Sequence, residues 1–144
     1  MITLMMMMLM PVVTLLLLIY GLRACDHITD ALISLHWLRV PECIQYKLAV
    51  LTHKVLHGGA PTYLGPLVRV ADQPGRCSLP SADSGRLVVP PIKLSTVGSR
   101  ALPVAAAELW NSLPDSVISV DSLTTFRRHL IHYLFQKSYP DVIL

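Results

Sequence analysis

Nowhere in its 144 residues does this chain place two aspartates side by side, and it has no aromatic-x-Asp-Asp box. A template-directed polymerase needs such paired carboxylates at a strand turn to hold two metal ions, so these residues alone cannot carry out that chemistry. Cysteine is sparse and badly spaced for metal or redox work. Cys25, Cys43 and Cys77 are separated by 17 and 33 residues, which makes neither a zinc ribbon nor a Cys-x-x-Cys pair, and an odd count argues against a disulfide scaffold. The only asparagine, Asn111, is followed by Ser112 and Leu113, so no N-glycosylation sequon exists. Charge is also thin. Twelve basic and nine acidic residues leave a net charge of +3, too little by itself to specify a nucleic-acid partner.

What the chain does have is unevenly placed. All six methionines fall within residues 1–10, and no charged side chain precedes Arg23. Residues 1–22 would measure about 33 Å as a helix, against a hydrocarbon core of about 30 Å. The head fits a cleaved signal peptide less well, because no basic region leads it and Arg23 stands where small residues are wanted. A membrane span and a low-complexity leader built on repeated methionine both fit this hydropathy. Pro11, at its middle, is tolerated by a membrane helix.

From residue 23 onward the sequence reads as one modest domain with a small core. Ile28, Leu32, Leu35 and Leu38 recur at helical spacing, with Asp26 ahead as a cap and Val40-Pro41 as the interruption. A second helix is expected over residues 41–57, with Ile44, Leu48, Leu51 and Val55 as its apolar stripe and Gly58-Gly59 as its stop. Residues 62–70 suggest another short helix between Pro61 and Pro66, and residues 71–84 an exposed loop. LVV and IKL flank Pro90-Pro91 and predict two short extended pieces. Helix resumes over residues 101–113, with Pro103 in its first turn and Pro114 beyond its end. The last helix is expected from the Asp121 cap to about Lys137, burying Leu123, Phe126, Leu130 and Leu134. The expected fold is therefore mainly α: a small helical bundle with a Pro-rich irregular loop, a short strand pair at most, and an apolar N-terminal helix.

Few constellations carry chemistry. His53 and His57 stand four residues apart, on one helix face, but no third ligand lies at metal-binding spacing. His129 and His132 read the same way, as structural or surface histidines. No nucleophile signature surrounds Ser34, Ser112 or the cysteines. Trp37 and Trp110, each among leucines, read as core anchors rather than platforms for bases. The best candidates for contact with a phosphate backbone are Arg127, Arg128 and Lys137 on the last helix, expected opposite its apolar stripe, and then Lys47 and Lys54 on the second.

Five motifs stand in order along the chain: SLHWLRVP (34–41), VLHGGAPTYL (55–64), LVVPP (87–91), AAAELWNSLP (105–114) and TFRRHLIHYLF (125–135). Over residues 18–144 the sequence resembles the C-terminal tail of a LINE-type (non-LTR) retrotransposon reverse transcriptase, the region beyond its polymerase domain. The resemblance implies no catalytic residue, cofactor or metal ligand here, because the family's polymerase and nuclease motifs lie outside this region. It implies association with RNA or a ribonucleoprotein. Cys43 and Cys77 stand where the family pattern leads one to expect arginine, and Pro80 and Leu102 also depart from it; two fewer arginines weaken phosphate binding. The expectation is a non-enzymatic, retrotransposon-derived segment without its catalytic domain, made of a head (1–22) and a body (23–144), with weak affinity for RNA or DNA and no small-molecule substrate. The alternative is a small interaction protein anchored by residues 1–22. The first places the protein in cytoplasm or nucleus, the second at a membrane.

Overall fold

The computed structural model describes residues 27–65, 67–73, 85–93 and 98–141, with Leu18 and Gly21 ahead of them. Apart from those two residues the apolar head, and with it the membrane reading, therefore lies outside the described residues. So do Cys25, Cys77 and most of the loop expected over 71–84. Among the described residues no helix is long and apolar enough to cross a membrane.

The chain divides into two compact units, residues 1–39 and 40–144. In the first, α1 runs Thr29–Ser34, shorter than the 28–38 periodicity suggests. His36 ends it by taking a left-handed backbone, φ 53°. The His36 amide then bonds the Ile33 carbonyl (3.0 Å) and the Trp37 amide the Leu32 carbonyl (2.8 Å). This paired closure of a helix end leaves Leu38 outside the helix. Apolar spacing could not register it, because the residue in the left-handed position is histidine rather than glycine.

The second unit is a helical bundle. Helix α2 spans Val40–Leu56, α3 Leu102–Ser112, α4 Asp115–Ile118 and α5 Leu123–Ser138. α2 packs on both α3 and α5, and α4 packs on α5. Gly58, at φ 69°, closes α2, its amide and that of Gly59 bonding the Val55 and Lys54 carbonyls as the Gly-Gly pair predicts. Pro103 sits in the first turn of α3. Small side chains, Ala49 on α2 and Ala106 and Ala107 on α3, are fully buried and let helices approach closely. Phe126, Leu130 and Leu134 of α5 are shut away from solvent as their spacing requires. Trp110 and Phe126 stack at 5.7 Å in the middle of the core.

Two of these expectations need correction, and the short strand pair, expected at most, is present only at its lower limit. The inward face of α2 is not the Ile44, Leu48, Leu51, Val55 stripe. Ala49, Thr52 and His53 are the buried residues, on a line turned by about 120° at 100° per residue, while Ile44 is 42% exposed. Thr52 can be buried because its hydroxyl donates to the Leu48 carbonyl at 2.8 Å, and His53 because it too has a partner. The helix expected over 62–70 is a single 3-10 turn, Thr62–Leu64, with a second, Val70–Asp72, beyond it. The strand pair reduces to one isolated antiparallel bridge between Arg69 and Leu87; no strand occurs among the described residues. Its two bonds, Val70 N–H to Arg86 and Val88 N–H to Val68, are all that two proline-bounded segments sustain.

Candidate functional site

Among the described residues of the second unit, two concave regions set histidines beside charged side chains. The first surrounds the histidines of α2. His53 is 2% exposed, its ring stacked on His57 at 4.0 Å and tilted against Phe126 at 4.5 Å. Its Nε2 faces the Val120 carbonyl at 3.1 Å. A carbonyl only accepts, so Nε2 carries the hydrogen. Burial pushes the His53 pKa down and the neighbouring His57 pushes the same way, while the Val120 bond and Asp121 oppose them. The net effect favours the neutral ring.

His57 Nδ1 donates to the His53 carbonyl at 2.8 Å, which turns Nε2 toward Asp121 at 4.0 Å. Asp121 is fully exposed, and it does not cap α5 as the sequence suggests: Ser122 holds the cap position, without a side-chain bond. An ion pair this long and wet contributes little. His57, Arg69, Asp115 and Asp121 border a cleft of about 420 Å³. Arg69 there faces two carboxylates, Asp115 and Asp121, so the cleft does not concentrate an anionic ligand such as phosphate. Nor do the two imidazoles begin a metal site, since two ligands do not make one and no third stands with them among the described residues. No group of three His, Cys, Asp or Glu suited to a metal occurs among the described residues. Cys43 is no better placed for nucleophilic work. Burial raises its thiol pKa, against the pull of Lys47, and the thiolate is the reactive form.

The second region lies on the outer side of α5. Arg128, His129, His132, Tyr133 and Gln136 follow the i, i+1, i+4, i+5, i+8 spacing of one helix face. With Pro114, Ser116 and Val117 they line a groove of about 510 Å³ between α4 and α5. His129 Nδ1 reaches the Ser116 carbonyl at 3.4 Å, and the Gln136 amide donates to His132 Nε2 at 3.3 Å. The residues lining this groove include no carboxylate.

No family model, curated protein or solved structure matches this chain.

The five basic residues singled out from the sequence do not form one patch. Arg127 and Arg128 are both exposed on α5, and among the described residues neither makes an ion pair. Arg128 enters the groove, while Arg127 projects about 100° away. Of the three basic residues of α5 only Arg128 lies opposite the apolar stripe; Arg127, though exposed, falls about 60° from the stripe's centre, and Lys137 is not opposite it either. At 100° per residue it falls about 180° from Arg128 and on the stripe's own side, where its ammonium donates to Gln45 of α2 at 3.4 Å. Lys47 is exposed and Lys54 half-buried, both on α2. Tyr133 and Gln136 were not singled out from the sequence, although the second periodic face of α5 could have identified them. Trp110 is 2% exposed and donates its indole N–H to the Gly85 carbonyl at 3.0 Å, so it offers no surface to a base.

Proposed function

We propose that this chain is a non-catalytic helical module, of the kind that follows the polymerase domain in LINE-type reverse transcriptases, and that it binds nucleic acid weakly through the phosphate backbone. One observation carries the reading. Arg127 and Arg128 are adjacent, exposed and without an ion-pair partner among the described residues, on a helix whose outer groove has no carboxylate in its lining. Guanidinium groups left in that state are suited to phosphate. With a net charge of +3 and about two or three contacts, affinity is micromolar or weaker and falls steeply with salt.

The test is a titration of the full chain against labelled RNA and DNA across a salt series. Changing Arg127 and Arg128 together to Ala reduces the log–log salt slope by about two, since each phosphate contact contributes about 0.9, and leaves stability unchanged because both side chains face solvent. Tight, sequence-selective binding indifferent to salt would overturn the reading, as would no binding at all. An unchanged slope would move the contact to Lys47 and Lys54.

A further inference from the structure

We propose that the groove between α4 and α5 seats one unpaired nucleotide, which makes the chain a binder of single-stranded in preference to duplex nucleic acid. This rests on the reading of α5 as a nucleic-acid contact and goes beyond it. Phosphate contact alone would need only the exposed guanidinium groups. The groove adds three things that charge does not explain. Its volume, about 510 Å³, falls within the range of roughly 300–1,000 Å³ that takes small ligands. It has a half-buried aromatic ring, Tyr133, in its wall. It also has an amide, Gln136, one turn away on the same face, with donors and acceptors for the edge of a base.

The order of these groups along α5 matches the order of groups in a nucleotide. Arg128 lies at the end nearer the helix N-terminus and supplies the cation for phosphate. Tyr133 follows at about 7.5 Å along the axis and Gln136 at about 12 Å. An aromatic face beside a cation is what single-strand binders use, because every base has a π-face to stack. A duplex cannot use it, since its bases are already stacked on one another. Arg127 points out of the groove, so it serves single and double strands equally.

The full chain is titrated at low salt with a labelled oligouridylate and with a duplex of equal charge. The expected result is tighter binding of the single strand. Tyr133→Leu lowers single-strand affinity about tenfold, the scale of one lost base–aromatic stack, and leaves duplex affinity unchanged; Tyr133→Phe, which keeps the ring, retains the preference. Arg127→Ala weakens both to the same degree. Because Tyr133 is half-buried, a second variant guards against misfolding: Gln136→Glu, at an exposed position, must weaken single-strand binding more than Thr62→Glu, which adds the same charge away from the groove. Equal affinity for both forms, untouched by the Tyr133 changes, overturns this proposal and leaves the phosphate reading standing. If neither form binds, both fall.

Discussion

The carboxamide of Asn111 holds Leu87 by both of its backbone polar groups. Asn111 Oδ1 accepts from the Leu87 amide at 2.9 Å, and Asn111 Nδ2 donates to the Leu87 carbonyl at 2.9 Å. It stands where a neighbouring strand would, completing the edge of a segment whose other side makes the single bridge to Arg69. Since Leu87 is buried, Asn111→Ala would leave an amide and a carbonyl unpaired. A loss of about 2–6 kcal/mol is expected in urea unfolding, at about 1–3 kcal/mol for each of the two orphaned groups. Asn111→Asp keeps the shape but loses the donor, and it too should destabilise. Wild-type stability in either variant would show that water replaces the clamp.

His53 makes stability depend on pH, and the sign follows from its depressed pKa. The unfolded chain takes up a proton near the ordinary histidine value, about 6.5, while the folded chain does so only at lower pH. The contribution of the buried neutral ring is therefore complete above about 6.5 and is lost as pH falls below it. The melting temperature of the full chain should drop between pH 7.5 and pH 5.5. His53→Phe keeps an aromatic ring beside Phe126 without a titrating group, so its melting temperature should change less over the same range. Parallel curves for the two proteins would assign the linked proton to another group.

Ser138 has a buried hydroxyl with no hydrogen-bond partner among the described residues. Such a group carries a desolvation cost without a return. Ser138→Ala should leave stability unchanged or raise it by about 1 kcal/mol. A clear loss in denaturant titration would mean that the hydroxyl finds a partner in solution.

Primer extension supplies a functional control. With no aspartate pair to hold two metal ions, the purified chain should not extend a primer on an RNA template with Mg²⁺ or Mn²⁺. Template-dependent extension above a heat-treated sample would contradict the non-catalytic reading.

How much the sequence reveals depends on which side chains build each interface. α5 is legible because bulky apolar residues at a 3.6 period, Phe126, Leu130 and Leu134, dominate its buried face, Ser138 at its end being the polar exception. α2 misleads because its inward line is Ala49, Thr52 and His53, two of them polar and buried only through specific hydrogen bonds. Hydropathy assigns those positions to solvent and the Ile44 stripe to the core. The basic candidates fare in the same way. Arg127 and Arg128 are exposed as expected, whereas Lys137 bends back to Gln45, a contact fixed by the packing of α5 on α2. Asn111 was visible only as an incomplete sequon, since its role appears only once Leu87, 24 residues away, is brought beside it.

His53, Trp110 and Asn111 secure the connecting segments by reaching main-chain atoms of Val120, Gly85 and Leu87. Every residue type offers a carbonyl, so these bonds do not depend on which side chains occupy the tethered positions. In variant libraries the burden should be one-sided. The three anchoring positions on the helices should tolerate almost nothing, Leu87 should answer to its own burial, and Val120, half-exposed, should accept wide replacement while its tether holds.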